Sequence, residues 1–389
     1  RCRKNMPIRF TVPPKAGKEI KYIKEAIDSG RLAGNGPFTK RCHDKLRQLT
    51  EAKKILLTSS ATAALEMAAI LCDIGSGDEV IMPSFTFVST ANAFVLRGAT
   101  PVFVDIVSDT FNIDPAQVED AVTSKTKAIV PVHYAGIGCD MDNLTQIAKK
   151  AGARLVEDSA QGLMSSIAGR PLGSMGDLAA LSFHETKNIT SGEGGALLLN
   201  DPILFERAEI IWEKGTNRSK FFRGEVDKYT WVDIGSSYLP SELQAAFLLA
   251  QLESAEEITA QRMAAWHRYR QNLLPLEQAG KLRLPVIPDG CRHNAHMFYI
   301  LLNSAEEQRE VLEGMNKRGV NAVFHYQPLH SSPAGQVYGR AHGALKVTDD
   351  ISSRLVRLPL FADLTTEQVD NICSLLEQLI EKKRAVEKI

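Results

Sequence analysis

Four groups of residues could do chemistry, and each falls where an apolar run ends. Asp158 closes the run Leu155-Val156. A carboxylate at the mouth of a buried strand either caps the next segment or meets a cation, and a protonated pyridine nitrogen is such a cation. Lys187 lies in SFHETKNITSGEGG, just past Leu181-Ser182-Phe183. A lysine there is either an ordinary solvated cation or an amine desolvated enough to form an imine with an aldehyde. Ser60-Ala61-Thr62 stands between a short apolar run and a helix pattern. It is either a plain helix cap or a phosphate site built from backbone N–H groups and hydroxyls, to which Ser182 could add another hydroxyl. Phe87, in PSFTFVSTANA, is either core or a flat ring for stacking. Together the four supply a phosphate cradle, a stacking ring, a carboxylate for a ring nitrogen and an amine for an aldehyde. The object so described is pyridoxal 5′-phosphate (PLP).

The elements that must position them follow a repeating grammar. Apolar runs near 55–57, 79–82, 101–105, 128–132, 154–158, 179–183 and 195–199 read as strands, most of them separated by helical patterns. Such alternation predicts an α/β fold with a mostly parallel, seven-stranded sheet between helices. Chemistry in such sheets sits at the carboxyl ends of the strands. Gly192-Glu193-Gly194-Gly195 predicts a tight turn into the last strand, and its spacing is not that of a dinucleotide loop. From Leu252 the pattern changes. A long helix from Glu253 to Leu274 leads to strand 298–302, helix 306–318, strand Ala322-Val323-Phe324 and a final helix from Thr366 to Lys383. The expected domains are 1–252, carrying the cofactor, and 253–389, a small α+β unit.

Composition narrows the class. The 389 residues carry 46 basic and 46 acidic side chains, so no charge excess points to nucleic acid or a membrane surface. No apolar stretch reaches the roughly 20 residues that span a bilayer. The six cysteines are scattered without CxxC pairs or metal-ligand spacing, which fits a reducing, cytoplasmic setting and no metal. The first residues, RCRKN, lack the apolar run of a signal peptide, and Met6 reads as the natural start.

The order TSSATAALEMAA, PSFTFVSTANA, PVHYAG, VEDSAQG, SFHETKN…GEGG and GSSYLPSELQAA resembles the DegT/DnrJ/EryC1/StrS family of sugar aminotransferases, from about Pro7 to near the C-terminus. FHETKN, EKGTNRSKFFRGEVDKYTW and NAHMFYI are most similar to the branch that aminates dTDP-4-keto-6-deoxy sugars. The resemblance implies a type I PLP fold and a homodimer with active sites at the subunit interface. It implies Lys187 as the cofactor's lysine, Asp158 as partner of the pyridine nitrogen and Gln161 near the ring hydroxyl. Ala61, Thr62 and Ser182 match phosphate positions, and Phe87 the stacking position. Where many members place an asparagine donated across the dimer to the phosphate, and an arginine after it, this chain has Ser237, whose hydroxyl could still bind the cofactor phosphate, and Leu239. The implied reaction moves an amino group from L-glutamate to a dTDP-4-keto-6-deoxy sugar. Amination at another carbon such as C3, or on another nucleotide sugar, is the alternative.

His184, Arg218 and His325 are candidate substrate contacts, with a structural histidine or a solvated arginine as the plain alternative. His133, Tyr134, Lys214, Arg223 and His330 share that standing. Related dehydratases carry histidine in place of the lysine, so Lys187 argues against them. A cofactor-free regulatory protein would not need Asp158, Lys187 and Thr62 together, and a nicotinamide-dependent epimerase would need a Gly-rich loop after the first strand.

Overall fold

The computed structural model describes residues 7–386, so Cys2 and the start expected at Met6 lie outside the described residues. The strands run in chain order β1 (Lys54–Thr58), β2 (Glu79–Pro83), β3 (Thr100–Val104), β4 (Thr126–Ile129) and β5 (Arg154–Asp158). Then come β6 (Ser166–Ile167), β7 (Arg170–Pro171), β8 (Leu178–Ser182), β9 (Gly195–Leu199) and β10 (Leu282–Arg283). The last are β11 (Cys291–Arg292), β12 (Phe298–Leu302), β13 (Arg340–Ala341) and β14 (Leu355–Leu358).

The main sheet has the order β1-β9-β8-β5-β4-β2-β3-β13. Only β9 runs against its neighbours; every other pairing is parallel. The strands are buried on both faces, as a parallel sheet between helices requires. Alternation along them sorts the core. Leu56, Leu197 and Leu199 pack with helix Ala61–Leu71 on one face. Ile55, Leu57, Ala196 and Leu198 pack with helix Glu242–Glu253 on the other.

The sheet has eight strands, one more than the sequence predicts. The addition, β13, pairs Arg340 and Ala341 with Val102 and Phe103 of β3. Two residues carry no periodicity. What places them is tertiary: Gly339 closes on Phe103, where an added methyl would lie 2.5 Å from the ring, and Arg340 bonds Glu79. The predicted long helix starts two residues later than expected and ends four later, because Ser254 separates Glu242–Glu253 from Ala255–Gln278. No strand forms at Ala322-Val323-Phe324; Val323 makes a single bridge to Arg357, and the chain then turns into the cavity described below.

A separate core joins helix Ala255–Gln278 to β12, β14 and the helices Ala305–Lys317 and Thr366–Val386. Its sheet, β10-β12-β14, is antiparallel. The third sheet, β11-β6-β7, ties that region to the loop after Asp158.

Candidate active site

Strands β1, β2, β5 and β8 deliver their carboxyl ends to one cavity of about 430 Å³. Ser60, Ala61, Thr62, Phe87, Asp158, Gln161, Ser182, His184, Lys187 and His325 all line it. Two candidates do not. Ser237 pairs with Glu213 in an isolated bridge, and Arg218 points its Nε at Glu213 Oε2, 3.8 Å away. Both belong to an excursion of the chain outside the cavity lining, together with Lys214 and Arg223.

Lys187 sits one turn beyond β8. Its N–H bonds the His184 carbonyl at 2.9 Å, and the loop folds back through Ser191 N–H and Thr190 Oγ1, both donating to the Phe183 carbonyl. Burial pushes the Lys187 amine down to about 8, against the pull of Asp158 and with help from Arg357. The loop is also clamped from the small core: Asn188 Nδ2 donates to the Asn294 carbonyl, and its Oδ1 meets His296 Nδ1 at 3.0 Å.

Asp158 ends β5 and is buried. Its Oδ2 accepts from Thr90 Oγ1 at 2.7 Å, and its Oδ1 accepts from the Ala160 N–H at 3.1 Å. The second bond closes an Asx turn, and β6 follows β5 with no helix between them for Asp158 to cap; the first aims the carboxylate. Thr90 is itself fixed by Thr86 Oγ1 at 2.8 Å. Each carboxylate oxygen keeps accepting capacity for a ligand.

Ser60 caps helix Ala61–Leu71, its Oγ accepting from Ala63 N–H at 3.0 Å. The capping and anion readings coincide, because the cap leaves the N–H groups of Ala61 and Thr62 without intrahelical acceptors. Thr62 Oγ1 donates to Ser89 Oγ at 2.8 Å. Phe87 is 58% exposed, so it is not core; it precedes helix Val88–Val95 and offers its ring to the cavity.

Gln161 is oriented by two partners. Its Oε1 accepts from Ala135 N–H, and its Nε2 donates to Tyr326 OH at 3.0 Å. His325 stacks on Tyr326 with ring centroids 3.8 Å apart. His184 Nδ1 meets Thr186 Oγ1 at 2.9 Å. His133 plays a different part: it is fully buried and bonds Glu157, which also accepts three backbone N–H groups. His330 bonds Ser84 Oγ on the far side of the loop.

The sequence reading missed Thr90, Tyr326, Arg357 and the Asn188–Asn294 clamp. Thr90 lay one turn from Phe87. Arg357 carried a readable signal, a charge inside the apolar strand LVRL.

The cavity suits PLP on its own terms. A helix N-terminus faces it for a phosphate, a carboxylate and a depressed amine share it, and Gly195 leaves no room beside Ser60 for a side chain. Fold and site thus define the class, an α/β enzyme shaped around a flat phosphorylated aldehyde. The model of the DegT/DnrJ/EryC1/StrS aminotransferase family matches residues 14–377. GDP-perosamine synthase of Escherichia coli O157:H7 is 31% identical over 95% of this chain and 98% of its own length. Spr1654 of Streptococcus pneumoniae, assigned as a sugar aminotransferase and solved in its PMP form, superposes with a TM-score of 0.90 at 29% identity, covering 98% of this chain and all of that one. DesI, solved in the presence of its TDP-sugar product, gives 0.88 at 28% identity, covering 99% of this chain and 95% of its own. The chain belongs to the DegT/DnrJ/EryC1/StrS aminotransferase family. It is a PLP-dependent aminotransferase of nucleotide-linked sugars with the type I fold.

Proposed function

We propose that the enzyme transfers the amino group of L-glutamate to C4 of dTDP-4-dehydro-6-deoxy-D-glucose, giving dTDP-4-amino-4,6-dideoxy-D-galactose. The observation that carries the chemistry is the meeting of Lys187 and Asp158 in one cavity with the N-terminus of helix Ala61–Leu71. Bound PLP supplies an electron sink for the pair left when the donor loses its α-proton. Lys187, held as a ready base, carries that proton. Asp158, aimed by Thr90, keeps a proton on the ring nitrogen. Ala61, Thr62, Ser60 and Ser182 hold the phosphate, Phe87 covers the ring and Gln161 meets its hydroxyl. His184 and His325 face the substrates.

The dTDP reading is supported by the likeness to DesI, whose structure contains a TDP-sugar product. The likeness to GDP-perosamine synthase favours a GDP-linked sugar as the second reading.

The working unit is a homodimer. Phe222, Tyr229 and Trp231 are 68%, 52% and 78% exposed on the excursion that carries Arg218 and Ser237, and a second copy would cover them. It would also bring Ser237 and Arg218 toward a partner's phosphate or substrate. The division at 252/253 into a cofactor domain and a small domain fits the separate C-terminal core. The five described cysteines are free, which suits the cytoplasm, and no described helix is long and apolar enough to cross a membrane.

Incubation with L-glutamate and a panel of 3- and 4-keto sugars on dTDP, UDP and GDP, with products identified by NMR, tests this. The dTDP-4-keto sugar should turn over fastest and yield the axial 4-amine. Preference for a GDP sugar, or for a 3-keto sugar, would displace the assignment.

A further inference from the structure

We propose that Arg357 is the anchor for the α-carboxylate of the amino donor, an assignment that rests on the aminotransferase reading above. Arg357 sits on β14 between buried Val356 and Leu358, its backbone paired with Tyr299 and bridged to Val323. Its side chain reaches the cavity and is 8% exposed. Among the described residues no carboxylate forms an ion pair with it, and its Nε is buried without any partner. A buried cation lacking an anion costs several kcal/mol in general. The simplest compensation is an anion that arrives with a ligand.

The surroundings fix the guanidinium without neutralising it. The Phe10 ring lies 4.7 Å from its Cζ. Nη1 donates to His325 Nε2 at 2.6 Å. That bond needs a lone pair on Nε2, so His325 is neutral and turns its Nδ1–H toward Tyr134 OH, 3.3 Å away. Burial, with Arg357 and Lys187 close by, holds His325 well below its ordinary value and keeps it neutral. The planar fork that remains matches a carboxylate better than a single-point ion.

Position selects the ligand. Arg357 lines the same cavity as Lys187, so an anion it holds shares that cavity with the reacting nitrogen. In an α-amino acid the carboxylate hangs on the carbon that bears that nitrogen. In a 4-keto sugar nucleotide the phosphates lie beyond C1, several bonds from the reacting carbonyl. The cavity's own phosphate end is the helix at Ser60-Ala61-Thr62.

The test compares wild type, Arg357→Gln and Arg357→Lys as holoenzymes, with cofactor content and thermal unfolding as folding controls. Single-turnover loss of the visible cofactor band is followed with L-glutamate and with its α-amide, L-isoglutamine. Calorimetry then measures the affinity of 2-oxoglutarate and of the keto-sugar nucleotide. In Arg357→Gln the half-saturating L-glutamate concentration should rise roughly tenfold to a hundredfold, the loss of a charged hydrogen-bond pair. Preference for glutamate over its amide should vanish, 2-oxoglutarate should bind correspondingly weaker, and the sugar nucleotide should bind unchanged. Arg357→Lys should fall between. A preference for glutamate kept in Arg357→Gln, or a lost affinity for the sugar nucleotide instead of the donor, overturns the assignment alone. A wild-type enzyme inert to L-glutamate overturns the proposed donor.

Discussion

Gly195 begins β9 directly beneath Ser60, so closely that a methyl on it would lie 2.3 Å from the Ser60 carbonyl carbon and 2.4 Å from the Ala61 nitrogen. Backbone on both sides leaves nothing flexible to yield. Gly195→Ala must push the helix N-terminus out of place, at a cost of about 1–3 kcal/mol for overpacking. Equilibrium dialysis should show PLP affinity at least tenfold weaker. Unchanged affinity would mean that the phosphate binds elsewhere.

Asp158 and Thr90 should separate in severity. Asp158→Asn keeps the shape and loses the charge, and kcat should fall on the order of 10²-fold or more with cofactor still bound. Thr90→Val removes one hydrogen bond to a charged group, about 1.5–3 kcal/mol, so a loss of roughly 10- to 100-fold is expected. Steady-state kinetics on both variants checks the order; equal losses would mean that aim matters as much as charge.

Lys187 sets a pH dependence. With its amine at about 8, a tenth or so is neutral at pH 7, roughly 300-fold more than an ordinary lysine offers. The rate at which apoenzyme takes up PLP should therefore rise with pH and level off above about 8. Because the unfolded chain holds the extra proton between about 8 and 10.5, apoenzyme stability should also rise with pH across that window and stay level at its lower value below about 8. Stopped-flow absorbance and pH-dependent unfolding check the two arms.

Glu157 is a structural carboxylate one residue from the chemistry. Burial opposes its charge, but His133 and the N–H groups of Gly173, Met175 and Gly176 outweigh it and hold its carboxyl below the usual range. A group depressed in this way stabilises above its unfolded value and loses that effect as pH falls through its folded one. Glu157→Gln would face donors with an amide, and should cost about 3–5 kcal/mol, the price of breaking a buried charged network. Denaturant unfolding gives the number, and a change under 1 kcal/mol would be inconsistent with the network.

The sheet was legible because its strands are apolar on both faces and end in polar residues; Asp158, Lys187 and Ser60 could be found from those ends alone. β13 was not legible, because two residues have no period and depend on Gly339 and Phe103. Ala322-Val323-Phe324 misled because an apolar triplet with a β-branched and an aromatic residue reads as a strand wherever its partners lie. Arg357 arrives in the cavity on β14 and Tyr326 from the stretch after Val323, and nothing local in the chain says which cavity a distant segment will serve. Ser237 and Arg218 fall outside the lining of the cavity, because their stretch of chain bonds to Glu213 instead.

The most direct measurement is borohydride reduction of the PLP-loaded enzyme, followed by proteolysis and mass spectrometry. The cofactor should be found on the peptide carrying Lys187 and nowhere else, and Lys187→Ala should give no adduct and no turnover. An adduct on another lysine, or a Lys187→Ala enzyme that still fixes the cofactor and turns over, would contradict the account.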